Sequence, residues 1–140
     1  MKYTRIGLVF SLLIFFSACG PSQIDLNKEK RAEVIAVHDE VMPKLGQLKT
    51  FEKKALQKAG ELSMMDSVDG DQVKNLEGLA LELNQAYENM FVWMRQYEIE
   101  DDGKTPEEVK AYLEAQMVLI AKVNKDIKDA LAKADSLLAD

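Results

Sequence analysis

The chain is poor in the residues that staple folds or break helices. It holds one cysteine, one histidine, three prolines and seven glycines among 140 residues. A lone cysteine leaves no intrachain disulfide, so any fold rests on apolar burial alone. One histidine and no glycine-rich phosphate loop or nucleophile motif leave no catalytic constellation. Basic residues are outnumbered, 18 against 24 acidic. That balance argues against nucleic acid or an anionic membrane as the partner of a basic surface. Long apolar runs are absent too. Ile6 to Phe16, broken only by Ser11, is well short of the ~20 residues that cross a hydrocarbon core.

What is present begins at the N-terminus. Lys2 and Arg5 precede that apolar run, and the small residues Ser17 and Ala18 follow it. The order of basic, apolar and small residues describes an export signal. The segment Phe16-Ser17-Ala18-Cys19 resembles the bacterial lipobox, with Phe16 in place of the usual aliphatic. The resemblance implies that residues 1–18 are a lipoprotein signal peptide and that Cys19 carries diacylglycerol and an N-acyl chain. No other cofactor is expected. Gly20 follows Cys19 without an acidic cluster, which by the same resemblance points to the outer membrane of a bacterial cell envelope. One acyl chain anchors only marginally, whereas two or three hold permanently. Losing Lys2 and Arg5 takes the formal charge from −6 to −8.

Residues 19–27 read as the lipidated cysteine and a tether, and residues 28–140 as one helical domain. From Lys28 to Leu62, Val34, Val37, Val41, Leu45, Leu48, Phe51 and Ala55 recur three or four apart, one face of a helix. Pro43 interrupts it and predicts a kink near Val41. Asp69 with Gln72 is a capping signal after the Ser63–Gly70 loop. A second helix follows, with Val73, Leu76, Ala80, Leu83, Tyr87, Met90, Met94 and Tyr97 on one stripe, widened by Leu79, Ala86 and Trp93. Thr105-Pro106-Glu107-Glu108 starts a third helix. Its stripe runs Val109, Leu113, Gln116, Ile120, Val123, Ile127, Ala130, Ala134 and Leu137. The predicted fold is all-α: an up-down-up antiparallel three-helix bundle with its first helix kinked near Pro43.

Two segments carry a family resemblance. His38-Asp39-Glu40-Val41-Met42-Pro43-Lys44 and Met90-Phe91-Val92-Trp93-Met94-Arg95-Gln96-Tyr97 resemble signatures of small bacterial lipoproteins commonly labelled "viral A-type inclusion protein". That label reflects generic coiled-coil similarity. The resemblance implies an exported helical lipoprotein and brings no assigned activity with it.

Two candidate sites follow. Met90 to Met94 is an apolar run too broad for one stripe: either the core wraps the helix there, or Phe91, Val92 and Trp93, with Tyr97 beyond them, are a candidate surface for an envelope protein partner. His38, Met42, Met90 and Met94 form a soft ligand set suited to Cu(I) or a small ligand. Methionine at helical spacing is also ordinary core filler. The reading is a non-enzymatic binding or structural module, held to a membrane by its lipid. A metal or small-ligand carrier is the alternative, and self-association through the heptad stripes is a third.

Overall fold

The computed structural model describes residues 20–67 and 69–139. The signal segment and Cys19 lie outside them. Among the described residues the regular structure is entirely helical: α1 (Gln23–Val41), α2 (Leu45–Ser63), α3 (Gly70–Gln96) and α4 (Pro106–Leu138). No helix among them is long and apolar enough to cross a membrane.

Local chemistry accounts for the ends. Ser22 caps α1, its hydroxyl accepting from the Asp25 N–H at 3.2 Å. The helix therefore opens at Gln23, ahead of the Lys28 start that the apolar stripe predicts. Caps are set by a few polar atoms, and the stripe does not report them. Pro43 has no N–H to give, and a 3₁₀ turn at Met42–Lys44 separates α1 from α2 without leaving right-handed helical backbone. The predicted interruption is thus where the proline requires it. Asp69 caps α3 by accepting from the Asp71 and Gln72 N–H groups. Thr105 and Glu108 close a reciprocal box at the start of α4, with Pro106 in the first turn. Gly103 takes φ 73° in the turn before it, a conformation costly for any residue with a Cβ.

The helices bury their stripes against one another. Val34, Val41, Leu48, Ala55, Leu79, Leu83, Met90, Ile120, Ile127 and Ala134 form a continuous core. Contacts along α1 and α2 meet α3 in descending order: Arg31 with Tyr97, His38 with Trp93, Lys49 with Asn84. They meet α4 in ascending order: Asn27 with Pro106, Asn124 with Val37, Lys54 with Leu138. Between α3 and α4 the order descends again, Glu82 with Lys133 and Glu98 with Tyr112.

One stripe residue differs. Leu137 is exposed and Leu138 is buried in its place. A strict heptad drifts by about 20° per repeat on a straight α-helix. Over the four repeats from Val109 that drift carries position 137 off the core and brings 138 onto it.

Candidate functional site

Aromatic rings run along the last turns of α3. Positions 93 and 97 are one turn apart, so Trp93 and Tyr97 stack with centroids 4.7 Å apart. The His38 ring of α1 lies 5.5 Å from that of Trp93, and Tyr112 of α4 lies 6.1 Å from Tyr97. Three helices thus contribute to one ladder.

Arg31 fastens the ladder to the loop that follows it. Its guanidinium sits 5.9 Å over the Tyr97 ring. Nη1 donates to Tyr97 Oη at 3.2 Å and to the Glu98 carbonyl at 2.9 Å, and Nη2 pairs with Asp101. The Glu98 N–H in turn donates to Tyr112 Oη at 2.6 Å. Lys104 lies 5.8 Å over the Tyr112 ring and donates to Glu98 Oε2 at 2.6 Å. That bond raises the Lys104 pKa, while burial raises the Tyr97 phenol above its ordinary value and nearby Arg31 partly offsets it. The planar fork of arginine reaches a ring, a carbonyl and a carboxylate at once, which a lysine does not do.

The aromatic candidates divide. Trp93 is 5% exposed and belongs to the core, so it offers a partner no open ring. Phe91 and Tyr97 are half-buried, Phe91 stacking on Tyr87 at 4.8 Å. Val92 alone of the run points outward, 40% exposed. At 100° per residue, consecutive apolar residues must wrap around the helix, and the helices packed against α3 cover most of these. The continuous aromatic patch read from the sequence is therefore reduced to Val92 and its neighbours.

The soft-ligand candidates are partly or fully buried rather than ranged around an open site. His38 faces Trp93, and its Nδ1 is 2.8 Å from Asp39 Oδ1. Its Nε2 is buried with no protein partner among the described residues. Met90 is fully buried, and Met42 and Met94 pack half-buried against the core. No group of three His, Cys, Asp or Glu side chains able to hold a metal occurs among the described residues.

A groove between α3 and α4 was not legible beforehand. Val92 and Leu119, 40% and 48% exposed, flank it, with Trp93 and Val123 beneath and a volume of about 200 Å³. Asn89 and Asp126 line it and continue into a second stretch reaching Glu82 and Lys133. The charges along it are paired, Lys122 with Asp126, Lys133 with Glu82, and Asp129 with Lys125 beside the groove. An apolar side chain can therefore enter without stranding a charge. The adjacent pair Val118-Leu119, off the α4 stripe, was the available signal.

No family model, curated protein or solved structure matches the chain.

Proposed function

We propose that this chain is an envelope lipoprotein whose helices act as a non-enzymatic binding module for a protein partner. In this reading Cys19 is acylated, and α1 to α4 make an up-down-up antiparallel three-helix bundle bent at Pro43. The opposite contact orders of α3 and α4 along α1 and α2 support that topology. The observation that carries the binding role is the Val92–Leu119 groove, an apolar slot whose bordering charges are already paired with one another. Exposed apolar side chains flanking a groove are the usual seat of a partner's anchor residue. The lipidation half rests on the Lys2-to-Cys19 order and on the resemblance of Phe16-Ser17-Ala18-Cys19 to a lipobox.

Each half has its own test. Growth with an alkyne-tagged fatty acid should label the wild-type chain and not Cys19→Ala. A photo-crosslinking residue at 119, in cells, should join a partner, and one at the exposed Glu114 should not. Equal crosslinking at both positions would remove the groove from the reading, and an unlabelled wild-type chain would remove the lipid.

A further inference from the structure

We infer that the end of the fold carrying Ile24, Leu26 and Ile99 rests directly on the lipid surface, with Met64 and Met65 at the opposite end held away from it. The inference builds on lipidation at Cys19 and adds which face meets the bilayer.

The tether is very short. Ser22 already caps α1, leaving Gly20 and Pro21 between the cap and Cys19. Fully extended, the chain from Cys19 to Gln23 spans at most about 14 Å. From Gln23 to Ser63 the helical path covers roughly 60 Å at ~1.5 Å per residue. A leash that short does not let the far end reach the membrane while the near end stands clear of it.

The near end is also fixed to its neighbours. Asn27, buried, donates from Nδ2 to the Pro106 carbonyl at 2.7 Å, joining the second turn of α1 to the first of α4. Arg31 holds the α3–α4 loop through Glu98 and Asp101. Ile24 shares a groove with Asp101, Lys104 and Pro106, so α1 and this loop present one surface. The position of α1 at the bilayer therefore sets the position of the loop.

Both ends of the fold expose apolar side chains, Met64 and Met65 at the far one, and the short tether selects the end that carries Ile24, Leu26 and Ile99. Ile99 is 77% exposed in the loop, Ile24 55% and Leu26 41% in the first turns of α1. Large aliphatics beside an anchor have a favourable place at the headgroup–acyl boundary. Glu98, Glu100, Asp101 and Asp102 surround Ile99 in sequence. Attraction to anionic lipid is therefore not the cause, and contact should occur on uncharged lipid. Lys28, Arg31 and Lys104, lining the same groove as Ile24, keep cations beside those carboxylates.

The test uses the full chain, expressed so that Cys19 is acylated and an introduced cysteine is the only free thiol. Ile24→Cys, Ile99→Cys and Met64→Cys are each labelled with an environment-sensitive dye and reconstituted in phosphatidylcholine vesicles. Shallow lipid-borne nitroxide should remove most of the emission at 24 and 99 and leave that at 64 unchanged. Equal emission with and without nitroxide at 24 and 99 would overturn the inference. So would a dye at 99 shielded from aqueous iodide but untouched by nitroxide, which would mean that protein covers it. Flotation separates the two readings: protein that floats but shows no quenching refutes the orientation alone. Protein that does not float refutes the anchor and the orientation together.

Discussion

Replacing Arg31 with alanine tests the aromatic ladder most directly. The side chain is 20% exposed and makes four contacts in one place: the Tyr97 ring, the Tyr97 hydroxyl, the Glu98 carbonyl and Asp101. A hydrogen bond contributes about 1 kcal/mol, and somewhat more when one partner is charged. The Asp101 pair is partly in water and counts for only about 0.5 kcal/mol. The cation over the ring adds about as much. Together, and discounted for water that replaces some of these contacts, the loss is about 2.5 kcal/mol, which lowers Tm by roughly 10 °C for a domain of this size. Arg31→Lys keeps the charge and loses the fork, so it should recover less than half of that loss. Differential scanning calorimetry measures the three proteins, with Lys125→Ala as a reference. Lys125 pairs with Asp129 one turn away, both side chains exposed, and its removal should leave Tm unchanged. Amide exchange should localise the Arg31→Ala damage to Glu98–Gly103 and the end of α3. A Tm for Arg31→Ala equal to that of Lys125→Ala would show that the clamp contributes nothing and refute the reasoning.

Three further outcomes are expected. Tyr97 has a folded pKa above its ordinary 10.0, chiefly through burial. The folded state then holds a proton that the unfolded state releases, so its stabilisation is complete below pH 10 and is lost as pH rises through the folded value. Tyr97→Phe should flatten that alkaline decline in denaturant midpoints. Glu40 is held below the usual carboxylate range by hydrogen bonds from Lys128 and Asn124. Its contribution is present above its unfolded pKa and disappears as pH falls through the lower folded value, so Glu40→Gln should shrink the acid-side loss of Tm. Trp93, the one tryptophan, should emit with a blue-shifted maximum and resist acrylamide; emission at the wavelength of the free side chain would contradict its place in the core.

The sequence by itself determined the helices and their punctuation. Helix periodicity, the Asp69 and Thr105 caps and the break at Pro43 depend on atoms within a few residues of one another, so spacing alone reveals them. Most of each buried stripe was legible for the same reason, since Leu76, Leu83, Met90, Leu113, Ile120 and Ile127 sit where a 3.6-residue period puts them. The tertiary structure alone decided which flanking residues are covered. Trp93 and Val92 are neighbours in the chain, yet one is core and the other is surface, because the rotation of α3 against α2 and α4 is set by packing across helices. The same rotation opens the Val92–Leu119 groove and puts His38 against an indole. Arg31 reaches across 67 residues of chain to Glu98, and Asn27 across 79 to Pro106. No local pattern marks such partners, since each depends on where a distant segment lies once the core has closed.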